Sequence, residues 1–343
     1  MLVHPPFHLL ILIGGTTAAL SPLPVRSEGV EWGPCSDVFL SPMPIECGNL
    51  TVPLDYANSS SSETINLELL KVKALNGPSK GSILFNFGGP GVGTRISLAE
   101  RANLLQAVTG GNHDLISWDP RGTVNTTTFK CGTGAFEGYE YIPGTPGNSS
   151  DRRATGHQWA SATAWANTCY LNPESRETGS RIGTAYTVRD SDEFLPVVDR
   201  VVGSSRSIGH YGVAVQMLCA QWRIEARETY KGDFKVNTKN PLLIFSNTLD
   251  PATPLRSALN VSETFEGSVF LQSEGLGHGW RTHPSLCVAK AFQKYFDESV
   301  LPEPGTKCKT DFAAFDVTNT SWDELLPQLG FEPVTRRSNQ LYD

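Results

Sequence analysis

Long apolar runs, basic clusters and paired Cys-x-x-Cys motifs are all missing from this 343-residue chain. The longest apolar run, Phe7 to Gly15, falls well short of the roughly 20 residues that a membrane-spanning helix needs, so no stable membrane span is expected. Lys and Arg number 28 against 35 Asp and Glu, for a net charge of −7, and they are scattered rather than clustered. That balance leaves no electrostatic footprint for nucleic acid or an anionic membrane. No His, Cys or carboxylate cluster has the spacing of metal ligands, so neither a metal nor another cofactor is implied. No internal repeat is visible, and the tail after Asp316 is polar with little to contribute to a core.

What is present points first to an oxidising compartment. Residues 1–20 read as a signal peptide, with an apolar stretch around Leu9-Leu10-Ile11-Leu12-Ile13 followed by the small residues Thr16-Thr17-Ala18-Ala19; a buried amino-terminal strand is the alternative. Asn-x-Ser/Thr sequons at Asn49, Asn58, Asn125, Asn148, Asn260 and Asn319 are useful only where glycosylation occurs. Seven cysteines agree. The spacings Cys35 to Cys47 and Cys287 to Cys308 suit disulfides closing short loops, and pairing Cys131 with Cys169 as well would leave Cys219 alone. A secreted protein is therefore expected.

The apolar patterning is that of an α/β protein. Alternation over Ile65 to Val72 marks a half-buried strand, preceded by a β-rich piece at Leu50 to Asp55. Ser82 to Phe87 and Asp114 to Asp119 are short apolar runs flanking a helical stretch from Ser97 to Val108. This βαβ unit implies a parallel sheet with its sites at the carboxyl ends of strands. A helix is expected around Gln158 to Asn167. Asp190 and Glu193 fit a capping box that would start another, although Pro196 cuts it short. Spacings of three and four residues among Val215, Leu218, Cys219, Trp222 and Ala226 predict an amphipathic helix from Val213 to Tyr230. Strands at Leu242 to Ser246 and Ser268 to Gln272 and a helix from Leu286 to Phe296 follow.

Several residues carry chemistry. Gly88-Gly89-Pro90-Gly91 after a strand lets backbone N–H groups approach an oxygen that becomes negative, as an oxyanion hole must. Asp250, just past a strand end, and His278, between Gly277 and Gly279, stand in the order acid then histidine. In that arrangement a carboxylate orients an imidazole and stabilises its charged form. Taken singly, Asp250 also reads as a turn residue before proline, and His278 as a surface loop residue. His283 competes less well as a base because it precedes proline and lacks flanking glycines.

Taken together, Gly-Gly-Pro-Gly at 88–91, Asp-Pro-Arg-Gly-Thr at 119–123, Asp-Pro-Ala-Thr-Pro at 250–254 and Gly-His-Gly at 277–279, followed by Pro284 to Cys287 and Leu301 to Cys308, are more specific. The set resembles the secreted tripeptidyl-aminopeptidase-like branch of the proline-iminopeptidase family, over most of residues 30 to 315. Thr184 to Asp190 and Cys219 to Trp222 also look like landmarks of that family. The resemblance implies an α/β-hydrolase fold, a mostly parallel sheet flanked by helices. It also implies a serine peptidase activity near a free amino terminus, or on a related ester or amide. Gly88 and Gly89 would form the oxyanion hole, and Asp250 and His278 would be two members of the triad. A peptide or small molecule would be the substrate; nothing bears on oligomeric state.

One element of that pattern is absent: no Gly-x-Ser-x-Gly occurs between Asp119 and Asp250. Fewer than thirty residues separate Asp190 from Cys219, too few for the helix, nucleophile strand and lid that the family carries there, since a βαβ unit takes about thirty by itself. The chain thus divides into the hydrolase's amino-terminal half (30–190), a shortened connection in place of elbow and lid (191–235), a carboxyl-terminal part (236–316) and a polar tail (317–343). Val197 to Val202 followed by Gly203-Ser204-Ser205-Arg206-Ser207 offers a substitute strand and turn, with Ser205 as candidate nucleophile between small neighbours. Two other readings stand beside an active hydrolase: a non-catalytic binding protein built on the old cleft, and a gene model from which an in-frame segment has been lost.

Overall fold

The protein is described by a computed structural model, which places residues 30–131 except 38 and 90, residues 152–194, and residues 221–332 except 233, 234, 236, 237, 239, 319 and 320. The signal-peptide segment, the Val197 to Val202 run, Ser205, Cys219, Asn148 and Asn319 lie outside the described residues.

The first half is built on an antiparallel hairpin, β1 (Ile45–Pro53) against β2 (Thr64–Val72), in register from Ile45 opposite Val72 to Pro53 opposite Thr64. Strand β2 pairs antiparallel with β4 (Asp114–Trp118), which pairs parallel with β3 (Ser82–Phe85), so the sheet order is β1-β2-β4-β3. Side-chain alternation on β2 feeds two cores, as a period of two requires. Leu67 and Leu69 join Leu50, Val52, Ile116 and Trp118 on one face. Leu70 and Val72 pack on the other face against Leu98, Ala99, Ala102 and Leu105 of helix α1 (Thr94–Val108).

Helix α1 is good helix sequence, but its start is set from elsewhere. Gly93 offers no capping side chain, and Asp119 accepts from Thr94 N (2.7 Å) and Arg95 N (3.2 Å) instead. Three helices follow: α2 (Arg152–Leu171), α3 (Pro173–Ser180) and α4 (Thr184–Phe194). The Cys131–Cys169 disulfide ties α2 to the loop beyond β4.

The second half is a three-stranded parallel sheet, β5 (Leu243–Leu249), β6 (Val269–Leu276) and β7 (Lys307–Cys308). Its helices are α5 (Leu255–Thr264), α6 (Leu286–Glu298) and the short α7 (Ser321–Leu325), continued by a 3₁₀ turn at Leu326–Leu329. The Cys287–Cys308 bridge fastens α6 to β7, and Cys35–Cys47 fastens the amino-terminal segment to β1. The strands are flanked by helices in an α/β arrangement consistent with an α/β-hydrolase fold, with three parallel pairings against two antiparallel ones among the described residues.

Among the described residues the strands form two sheets rather than one. β3 ends the first and β5 ends the second. A cavity of about 210 Å³ lies between these edges, lined by Phe85 of β3, Leu243 and Phe245 of β5, and Leu105, Trp280 and Phe292. The halves are joined beside it: Gln293 on α6 donates to Ala107 O of α1 (2.7 Å), and Asp297 accepts from Lys80 Nζ (2.6 Å) and Asn112 Nδ2 (2.8 Å).

Three expectations from sequence are corrected. Asp190 does not start a helix; it lies within α4, because Arg121 claims its carboxylate. Residues 222–230 are not helical. There Trp222 meets Trp165 of α2 (5.5 Å between centroids), while Arg227 ion-pairs Glu177 of α3 (2.6 Å) and Glu228 ion-pairs Arg189 of α4 (2.6 Å). Reaching three helices from residues within one short segment outweighs an amphipathic pattern that suits one face. The tail is not devoid of core either: Leu325, Leu326 and Leu329 are buried, the last two against Ala107, Val108 and Ala289.

Candidate active site

The site residues stand at the carboxyl ends of parallel strands, where open α/β sheets place their sites. The glycine loop follows β3, Asp250 follows β5, and His278 follows β6.

Asp250 and His278 are brought together. His278 Nδ1 lies 3.1 Å from both carboxylate oxygens of Asp250. Asp250 is buried, and its carboxylate also accepts from Ala252 N (2.9 Å), Thr253 N (2.8 Å), Thr253 Oγ1 (3.0 Å) and Gly279 N (3.2 Å). Burial pushes this carboxyl up, but the N–H donors of Thr253, Ala252 and Gly279, with His278, outweigh burial and hold it below the ordinary carboxylate value. A carboxylate that stays ionised selects the imidazole tautomer with its proton on Nδ1. The His278 side chain is 59% exposed, and no partner among the described residues reaches its Nε2. Nε2 is therefore free to take a proton from a reacting group and return it.

In the glycine loop, Gly88 N donates to Asn86 Oδ1 (2.8 Å), which commits that amide to the turn. Gly89 N has no acceptor among the described residues. Gly89 has φ 126°, and a Cβ there would fall 3.0 Å from Gly91 N, so only glycine fits.

The Asp-Pro-Arg-Gly-Thr segment turns out to be scaffolding. Asp119 caps α1 and accepts from Arg95 Nε (2.8 Å), while Arg95 also reaches Asp37 (3.0 Å) and Glu68. Arg121 forks onto Asp190, with Nε to Oδ2 at 2.8 Å, and also donates to Leu54 O (3.0 Å) and Pro53 O (3.1 Å). His283 is structural as well: it is buried, Nδ1 accepts from Leu276 N (3.1 Å), and Nε2 donates to Phe312 O (2.8 Å).

Sequence reasoning passed over two residues of the site. Thr253 supports Asp250 through both its amide and its hydroxyl, and the hydroxyl lies 3.4 Å from His278 Nδ1. Its signal was the Asp-Pro-Ala-Thr-Pro turn, in which an Asp side chain accepts from amides two and three residues on. Trp280, two residues past His278, packs, as Phe85 does, against the core cluster that includes Leu98 and Leu105, and its ring meets Phe292 (5.8 Å) and Trp322 (5.1 Å). It anchors the histidine loop beside the strand that carries the glycine loop.

Among the described residues no group of three His, Cys, Asp or Glu could hold a metal ion, and no helix is long and apolar enough to cross a membrane. The sequons at Asn49, Asn58, Asn125 and Asn260 are all exposed.

Known proteins are similar to parts of this chain. Residues 205–308 match the TAP-like protein family of α/β-hydrolases. The tripeptidyl aminopeptidases of Streptomyces coelicolor and Streptomyces lividans are each 26% identical over 206 residues, covering 57% of this chain and 35% and 36% of those proteins. The chain thus spans about a third of the length of these curated relatives. Among solved structures, a putative hydrolase from Agrobacterium vitis S4 is similar at 15% identity and a TM-score of 0.33, over 75% of this chain and 99% of that one. Its acid and histidine on adjacent parallel strands, together with these sequence relatives, support a likeness to a peptidase-like α/β-hydrolase family.

Proposed function

We propose that this chain is a secreted, glycosylated serine-hydrolase-type protein. Its acyl substrates are peptides cleaved near a free amino terminus, or related esters and amides. The observation that carries this reading is the His278–Asp250 pair, with Nδ1 held 3.1 Å from a buried carboxylate and Nε2 facing outward. In the reaction His278 accepts the nucleophile's proton through Nε2 and passes it to the leaving group. Asp250 keeps the tautomer and stabilises the imidazolium, and Gly89 N–H faces the oxyanion. Ser205 is the candidate nucleophile. Exposed sequons, three disulfides and the apolar leader support secretion. Without an attacking serine, a site of this kind retains only about 10³–10⁴-fold acceleration over water.

A second reading is favoured by the division of the sheet at β3 and β5. Each edge leaves one row of backbone groups without a ladder partner among the described residues, where a nucleophile strand would pair with both. The protein would then be a non-catalytic binder of peptide, or the 343-residue sequence would lack an in-frame exon. Fluorophosphonate labelling of the purified chain separates these. Labelling that disappears in both Ser205→Ala and His278→Ala supports the hydrolase. Labelling that survives Ser205→Ala removes that serine, and no labelling at all leaves the binding protein. Transcripts sequenced across the codons for Asp190 to Cys219 test the exon: a longer in-frame form encoding Gly-x-Ser-x-Gly establishes it, and the short form alone excludes it.

A further inference from the structure

Within β5 stands a residue ill suited to a strand interior. Asn247 is fully buried, in a run that otherwise reads Leu-Ile-Phe-Ser before it and Thr-Leu after it. Its Nδ2 donates to Gly277 O and to Gly279 O, each at 2.9 Å. These are the carbonyls of the two residues that bracket His278. Gly277 and Gly279 have φ of 87° and 76°, left-handed conformations in which both carbonyls meet one nitrogen while the ring between them meets Asp250.

No other standard side chain of this length supplies two N–H donors from one atom. Aspartate would present acceptors to acceptors, and leucine would leave Gly277 O without this donor and Gly279 O to Thr282 alone, whose Oγ1 also donates to it (2.9 Å). The register of β5 against β6 shifts between Asn247 and Leu249, an irregularity of the kind that re-aims side chains beside active sites. The amide oxygen, Oδ1, is buried without a hydrogen-bond partner among the described residues. Half of the carboxamide is thus left unsatisfied while the other half holds the loop. Room for that oxygen depends on Gly275, where a Cβ would fall 2.8 Å from it.

We propose that Asn247 is the positioning residue of the base: its carboxamide clamps the backbone on both sides of His278 and so fixes the imidazole against Asp250. This rests on the reading of His278 and Asp250 as the acid–base pair. The clamp acts on the loop rather than on the substrate, and it operates whether or not a nucleophile is supplied.

The test uses the full chain with ¹⁵N-labelled histidine and long-range ¹H–¹⁵N spectra, which report which ring nitrogen carries the proton. In the parent protein His278, assigned by its loss in His278→Ala, is expected as one tautomer protonated at Nδ1. That pattern is expected to be lost in Asp250→Asn and equally lost in N247L with the fold retained by circular dichroism. A fixed Nδ1–H tautomer that vanishes in Asp250→Asn but persists in N247L overturns the clamp and leaves the acid–base pair standing. No fixed tautomer in the parent overturns the pair itself. Should N247L fail to fold, the nearly isosteric N247D decides by the same readout: loss of the pattern supports the clamp, and an unchanged pattern overturns it.

Discussion

Two histidines five residues apart do opposite work. His283 satisfies a strand amide and a distant carbonyl from a buried position, whereas the His278 side chain is 59% exposed with Nδ1 on Asp250. His283→Leu strands both of its partners and is expected to cost about 2–4 kcal/mol in urea denaturation. His278→Ala is expected to stay within about 0.5 kcal/mol of the parent, as exposed substitutions do, while abolishing any fluorophosphonate labelling. At this scale the sequence was informative where chemistry uses turn residues. Asp250 before proline and His278 between glycines both announce strand ends. Asn247 and Thr253 were not legible, because their roles consist of partners 30 residues and more away, or of a turn geometry that many Asp-Pro segments share.

Among elements, one buried join is polar. The Arg121 fork onto Asp190 fastens α4 to the loop after β4, with both side chains buried and Tyr56 Oη donating to the same carboxylate (2.9 Å). Arg121→Met leaves that carboxylate in a low-dielectric site without its cation and is expected to cost about 3–5 kcal/mol. Adding Asp190→Leu is expected to restore most of the loss, measured as a double-mutant cycle in urea. Strand β2 followed from alternation, β3 to β6 from short apolar runs and α1 and α6 from helical stretches, with β2 and β4 each burying both faces. The 222–230 segment did not, because its contacts run to three separate helices rather than to one surface.

For the molecule as a whole, the division between β3 and β5 governs local stability. Among the described residues β4 is paired on both sides, whereas β3 and β5 are each paired on one. Hydrogen exchange is expected to show an alternating set of fast amides in β3 and β5 and uniform protection in β4; uniform protection of β3 would mean that its edge is covered. Electrostatics sets the pH limits. Lys73 and Lys71 hold Glu46 below the ordinary carboxylate value, and Lys80 does the same for Asp297. Burial opposes this shift at Asp55 and Asp250, but hydrogen bonds from Tyr186, Ala57 and the Asp250 turn prevail. Depressed carboxyls give stability that is present above their unfolded value of about 4 and is lost as pH falls through the lower folded values. Tyr186 works the other way. Burial and its bond to Asp55 push it up from 10.0 to about 12, so its contribution is complete below pH 10 and fades as pH rises through about 12. Urea midpoints measured across pH are expected to fall at both ends.

By itself the sequence pointed to the α/β class, the short-loop disulfides Cys35–Cys47 and Cys287–Cys308, with Cys131–Cys169 as the pairing that leaves Cys219 over, the strand ends that carry Asp250 and His278, and the absence of Gly-x-Ser-x-Gly between Asp119 and Asp250. All of these are written in local patterns: periodicity, turn chemistry and spacing. Only the tertiary structure decided that Asp-Pro-Arg-Gly-Thr is scaffolding, that His283 is not the base, that the tail contributes buried leucines, and that Asn247 holds the histidine loop. Each of these depends on which distant group meets a buried polar or apolar atom, and that is fixed by packing.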